Sequence, residues 1–390
     1  MSEGALDRVD AGDRLKIAFL GDPSSIHLRR WVNYFADRGH DVTLLVPRDW
    51  PVDPAQMPAV AIERFTRFAA RGRFAPASYL RARRSLRSAL ARVRPDVLNA
   101  HYLTSNGWHA WISGFHPYAV TLWGSDIFLT PRESRAFANY ARLTLRAADM
   151  VMVNSAALQR GAIDLGAAPG RTEMVQWGVD LTRFSPGPDP TALRARLGLE
   201  GRRVVFSPRG LAPLYRHGVV IEALSRLPSD VVVVMTMQHC VAEELEAVRR
   251  KIDELGLVDR VVILPEIGHD DMPDFYRMSE VMVTVPASDS TSVAILESLA
   301  SGLQIVAGDL PSVREWLYAL DPSALVPIDD PVATAAALAR ALDRDPAERA
   351  RLGREGRAIV EARADQARSL ARVESLYRQL AVGNRVRAPR

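Results

Sequence analysis

The sequence predicts an α/β chain of two doubly wound domains with parallel sheets, and three observations predict it. Short apolar runs alternate with amphipathic stretches through the first half. The pattern restarts after a segment rich in proline and glycine. A length of 390 residues at 48% hydrophobic is enough for two separate cores.

The first strand is read at Leu15 to Leu20, followed by a loop over Gly21 to Ser25 and a helix from about Ile26 to Arg38, which Gly39 ends. Further strands are read at Asp41 to Val46, Asp96 to Ala100, Ala119 to Leu122 and Met150 to Val153. Ser185-Pro186-Gly187-Pro188-Asp189-Pro190 has the composition of a linker. Beyond it, strands are read at Arg203 to Phe206, Asp230 to Met235, Val261 to Leu264, Val281 to Val285 and Gln304 to Val306, and a helical tail at Pro346 to Leu380. The expected organisation is a loose N-terminus over 1–14, a first domain over 15–185, a second over 186–365, and a C-terminal helix and tail over 366–390. Two such domains are expected to face a cleft lined by the carboxyl ends of their strands, where open α/β sheets bind ligands.

Composition narrows the class. The formal charge of +4 is small for this length, and Lys16 and Lys251 are the only lysines, so any other phosphate-binding cation must be arginine or histidine. Cys240 is the single cysteine, which excludes an intramolecular disulfide and a cysteine-built zinc site. No signal-peptide core and no bilayer-length apolar run is read, so a cytoplasmic location is expected. Arg64 to Arg94 is dense in arginine with few acids, which reads either as a solvated helix face or as a peripheral contact with the inner membrane face. Basic residues are not interleaved with aromatics, which argues against nucleic acid as a partner. There is no phosphate loop with its lysine, no Gly-x-Gly-x-x-Gly at the start and no zinc helix.

The chemistry concentrates at Asp289-Ser290-Thr291-Ser292-Val293-Ala294-Ile295-Leu296-Glu297. A strand precedes this hydroxylic turn and an apolar helix follows, so backbone amides and the helix dipole favour an anion there. Asp289 is suited to sugar hydroxyls and Glu297 to a ribose. The plain alternative is an ordinary connection capped by Thr291 or Ser292. Ser207-Pro208-Arg209-Gly210 ends another strand, and a guanidinium there can grip phosphate with two donors. Arg216 follows in Tyr215-Arg216-His217-Gly218. In the first half, Ser24 and Ser25 lie after the first strand, His101 ends another, and Thr121-Leu122-Trp123-Gly124-Ser125-Asp126 ends a third. His101 reads as a general base or a satisfied structural histidine. Asp126 reads as a hydroxyl or amine binder and base, or as a cap.

The Asp289 to Glu297 string resembles the acid, seven residues, glutamate motif of retaining GT-B glycosyltransferases of family 4, in its Asp-x-Thr-Ser variant. The resemblance runs from the opening strand to about Glu315. It implies two Rossmann-like domains, a nucleotide diphosphate sugar such as a UDP- or GDP-sugar as co-substrate, no metal and no further cofactor. Arg209, Arg216, Ser290, Thr291, Ser292, Glu297, Ser24 and Ser25 are then expected to bind the donor, and Asp126, His101 and Asp289 to act in catalysis. Three departures stand out: Ser24-Ser25 replace a glycine pair, Trp123 replaces a histidine, and the lysine expected after Arg209 is missing, with Arg216 its candidate substitute. Trp123 is expected to form a pocket wall, and His27 to start a helix and pack. The acceptor is expected to be a small polar natural-product or aminocyclitol antibiotic precursor, or alternatively a lipid-linked or cell-surface glycan. A nucleotide-sugar epimerase and a non-catalytic GT-B partner protein are the remaining alternatives.

Overall fold

The computed structural model describes residues 8–67 and 75–387. Residues 1–7 of the expected loose N-terminus, 68–74 of the arginine-dense stretch and 388–390 of the tail lie outside the described residues. The chain divides into two compact units, Met1–Trp177 with Arg368–Arg390, and Gly178–Ala367. The division at Trp177 and Gly178 precedes the proline-rich segment, and the last helix returns to the first unit.

The first unit carries seven parallel strands: β1 (Lys16–Leu20), β2 (Asp41–Pro47), β3 (Ala61–Phe65), β4 (Val97–His101), β5 (Tyr118–Thr121), β6 (Met150–Val153) and β7 (Thr172–Met174). Their order is β3-β2-β1-β4-β5-β6-β7. Because β1 has β2 on one side and β4 on the other, the winding reverses there. Both faces of the sheet are covered, one by a core containing Ile17, Phe19, Trp31 and Phe35, the other by one containing Leu20, Leu86, Val120 and Leu158. Such two-sided burial is why these strands are continuous apolar runs rather than alternating ones.

The Gln366–Arg387 helix completes the first of these cores with Leu370, Val373, Leu376 and Tyr377. Its Glu374 pairs with Arg38 at 3.2 Å and Arg378 at 2.7 Å, and Tyr377 accepts a hydrogen bond from Asn99 in β4. Each large apolar side chain buried in this way contributes about 1.5 to 3 kcal/mol.

The second unit carries β8 (Arg203–Ser207), β9 (Val231–Thr236), β10 (Val261–Leu264), β11 (Val281–Thr284), β12 (Gln304–Gly308) and β13 (Leu325–Val326), all parallel, in the order β10-β9-β8-β11-β12-β13. Here the winding reverses between β8 and β11. Trp316, Phe206 and Leu296 fill the core on one face, and Val205, Ile221 and Leu338 that on the other.

Candidate functional site

Open parallel sheets bind ligands beyond the carboxyl ends of the strands where the winding reverses. In the second unit that point lies beyond β8 and β11. The loop after β8 carries Arg209, and the loop after β11 carries Asp289 to Ser292.

The structure brings these together. Arg209 Nη1 lies 3.1 Å from Asp289 Oδ2, and it also donates to Ser292 Oγ. The guanidinium carbon sits 4.3 Å from the centroid of the Tyr215 ring, a cation–π contact. Burial opposes the Arg209 charge, but Asp289 and Tyr215 outweigh it and hold the group above its ordinary range. Burial raises the Asp289 carboxyl above the usual carboxylate range, with Arg209 and the Ser290 amide opposing.

The turn itself is firmly supported. Asp289 Oδ1 accepts from the Ser290 amide at 3.0 Å, and the Asp289 carbonyl accepts from Ser312 Oγ at 2.9 Å. Thr291 Oγ1 accepts from Trp316 Nε1 at 3.2 Å. Ser292 stands at the cap position of the Val293–Ala300 helix, yet its hydroxyl makes no cap bond and serves Arg209 instead. A capping role for that hydroxyl is therefore not what this loop uses it for. Buried Glu297 accepts from the Tyr276 hydroxyl at 3.0 Å.

Arg216 is not joined to this group. It adopts a left-handed conformation, φ 50°, and pairs with Asp329. His217, which sequence reasoning left without a role, reaches the Arg209 carbonyl with Nε2 at 3.3 Å, and burial lowers its imidazole to about 4. Tyr215, Tyr276 and Trp316 were also missed. Tyr215 and His217 share a segment with Arg209, but Tyr276 and Trp316 arrive only through the fold, and no local signal marks them.

In the first unit the winding reverses between β1 and β4. In the loop after β1, the Ser24 amide and hydroxyl donate to Asp22 Oδ1 at 2.9 and 2.7 Å. Ser25 caps the Ile26–Asp37 helix through the Leu28 amide at 3.4 Å, and Arg29 donates to the Ser24 carbonyl at 2.6 Å. Both serine side chains thus hold the loop.

Asp126 is fully buried and accepts from the amides of Leu103 at 2.8 Å, Gly124 at 2.8 Å and Trp123 at 3.1 Å. Burial raises its carboxyl to about 6 against those amides. Through these amides Asp126 ties the β4 loop to the β5 loop, and both of its oxygens accept hydrogen bonds. His101 is buried among Trp31, Phe19 and Trp123, with ring centroids 4.7, 5.9 and 6.2 Å away. Burial lowers its imidazole to about 3, and the ring stands neutral among these aromatic side chains. The Trp123 ring packs against Trp177 at 4.7 Å and His27 at 5.6 Å, forming a half-buried aromatic wall.

Known proteins resemble both units. Residues 16–155 match the family model described as Glycosyl transferase 4-like, and residues 189–359 match Glycosyl transferases group 1. D-inositol 3-phosphate glycosyltransferase of Acidothermus cellulolyticus is 29% identical over 294 residues, 66% of this chain and 64% of that protein. The protein of that name from Mycobacterium tuberculosis strain H37Ra is 34% identical over 177 residues, 44% of this chain and 37% of its own length. The chain thus spans less than two thirds of the curated relatives it matches. Among solved structures, sucrose-phosphate synthase from Thermosynechococcus elongatus superposes with a TM-score of 0.80 at 20% identity, covering 94% of this chain and 99% of that one. Anabaena Alr3699/HepE in complex with UDP-glucose gives 0.77 at 21% identity, covering 94% and 100%.

Proposed function

We infer, for a chain that belongs to the glycosyl transferases group 1 family and has the GT-B fold, that it is a sugar-nucleotide-dependent glycosyltransferase working with retention of anomeric configuration. The observation that carries this reading is the Arg209, Asp289 and Ser292 group at the point where the second sheet reverses its winding. In this reading Arg209 and the amides of the Ser290 to Ser292 turn hold the diphosphate, Asp289 the sugar hydroxyls, and Glu297 the ribose, oriented by Tyr276. The bond from the anomeric carbon to the diphosphate oxygen breaks as the acceptor oxygen bonds that carbon on the same face. The acceptor proton passes to a diphosphate oxygen. Fixed donors aimed at the leaving group are worth about 3 to 4 kcal/mol each in such transition states. The engagement of Asp126 and the low basicity of His101 agree with a reaction that uses no side-chain base.

The acceptor we propose is a small polar polyol of the cyclitol class, in line with the printed names of the relatives; an aminocyclitol antibiotic precursor belongs to that class. A lipid-linked or cell-surface glycan is a second reading, favoured by the basic outer face of the Ala75–Val93 helix. The test is a panel of UDP- and GDP-sugars, each with and without inositol 3-phosphate and glucose 6-phosphate. Nucleotide release that requires an acceptor is the expected result, with the product anomer read from its proton coupling. A new nucleotide sugar formed without acceptor would mean epimerisation. No turnover with any pair would leave a non-catalytic partner protein.

A further inference from the structure

The Ala75–Val93 helix is amphipathic in an unusual sense. Ala82, Leu86, Ala89 and Leu90 are buried and fix it to the first unit. On the opposite side Ala77, Leu80, Arg81, Arg84, Arg87, Ser88 and Ala91 are exposed, and beside them so is Arg92, which donates to Ser88 Oγ and pairs with Glu63 of β3 at the end of the stripe. At 3.6 residues per turn these seven positions fall within an arc of roughly 120°, along about 21 Å of helix. The helix contains no acidic residue.

Other helices pair some of their arginines: Arg351 lies between Glu348 and Glu355, each at 2.7 Å, and Arg357 reaches Glu361 at 2.7 Å. Among the described residues Arg81, Arg84 and Arg87 form no ion pair. Leu80, in the same stripe, is 49% exposed.

We propose that this face docks on an anionic lipid bilayer, with Arg81, Arg84 and Arg87 against the phosphate headgroups and Leu80 entering the interface between them. Three cations without an ion-pair partner, on a helix that carries no acid, complement a negative surface. An exposed aliphatic side chain among them has a favourable place in a headgroup layer. A single-stranded nucleic acid fits less well, because no aromatic residue stands in the exposed stripe for bases to stack on.

The experiment uses the full chain, sedimented with vesicles of phosphatidylcholine alone and of phosphatidylcholine with an equal part of phosphatidylglycerol. Binding to the second and not the first is expected, weakening steeply by about 0.5 M salt as screening shortens the reach of the charges. Since one basic residue near such a surface contributes about a fivefold gain in partition, R81Q/R84Q/R87Q should lose about a hundredfold. Leu80→Gln should lose several-fold with the salt dependence unchanged. The triple variant should keep the melting temperature and the turnover of soluble acceptor, since none of these residues belongs to the proposed donor site. Wild-type protein left in the supernatant, a triple variant that sediments like wild type, or displacement from vesicles by a short oligonucleotide at equal charge would overturn the proposal. Failed turnover with intact vesicle binding would instead count against the proposed transferase activity.

Discussion

Arg209 is shared by three partners, and that sharing makes its neighbourhood testable residue by residue. Asp289, Ser292 and the Tyr215 ring all engage the one guanidinium. A diphosphate bound there must compete with the Asp289 carboxylate for the same donors. Arg209→Ala should therefore weaken UDP binding ten- to a hundredfold by calorimetry, the usual worth of charge-assisted hydrogen bonds. Asp289→Asn should bind UDP several-fold more tightly than wild type while turnover collapses, because it removes the competitor along with a sugar ligand. Weaker binding by that variant would show that Asp289 supports the diphosphate rather than competing with it. Glu297→Ala should abolish measurable UDP affinity without unfolding, and Tyr276→Phe should lose less, since it removes only the hydroxyl that orients the carboxylate. Unchanged affinity in Glu297→Ala would remove the ribose from that residue. Arg209, Asp289 and Ser292 were legible because each lies beside a strand end within a short run of polar residues. Which amides Asp126 engages was not legible, because those of Leu103, Trp123 and Gly124 are brought to it by backbone direction, and tertiary structure sets that.

The element that aims Arg209 is the loop leaving β8, and its constraint is steric. A Cβ added at Gly210 would lie 2.0 Å from the Gln238 carbonyl oxygen, a backbone atom that cannot move aside cheaply. Gly210→Ala should shift the loop, weaken UDP binding at least tenfold and leave the circular dichroism spectrum unchanged; wild-type affinity would mean that the loop does not set the arginine's position. Elements buried on both faces, such as β1, β4, β8 and β11, announce themselves as apolar runs. The short edge strands β3, β7 and β13 do not: β3 is half-buried through its middle with Glu63 and Arg64 breaking its apolar run, and β7 and β13 are too brief to form a pattern. The Gln366–Arg387 helix was legible as helix, but its destination was not, because periodicity names a buried face without naming what buries it. Leu376→Ala in that helix should cost about 2 to 5 kcal/mol. A cost near zero in urea unfolding would mean that the helix is peripheral to the first core despite its burial.

At the scale of the whole molecule, buried titratable groups tie stability to pH. His101, His109 and His217 are held neutral by burial, at about 3, 4 and 4 against an ordinary 6.5. Their stability contribution is complete above 6.5 and is lost as pH falls through the folded values, because the unfolded chain takes up protons first. By pH 5 each amounts to a loss on the order of 2 kcal/mol. Glu374, Asp180 and Asp321, depressed in the folded state despite burial, add losses of the same sign, but only at lower pH, near the ordinary carboxylate range. Asp126 works in the opposite direction: raised from 3.8 to about 6 by burial, its contribution is complete below 3.8 and is lost as pH rises through 6. Glu280 and Asp289, also raised by burial, share that sign. Between pH 7 and pH 5 the three histidines outweigh Asp126, so the melting temperature should fall on acidification. His109→Phe, which keeps a ring against Phe65, should make that fall shallower. Asp126→Asn should make it steeper, since one of the opposing groups is gone. Melting curves at pH 7, 6 and 5 for the three proteins decide the matter, and a wild-type melting temperature that stays level or rises toward pH 5 would show that the buried histidines do not dominate acid stability.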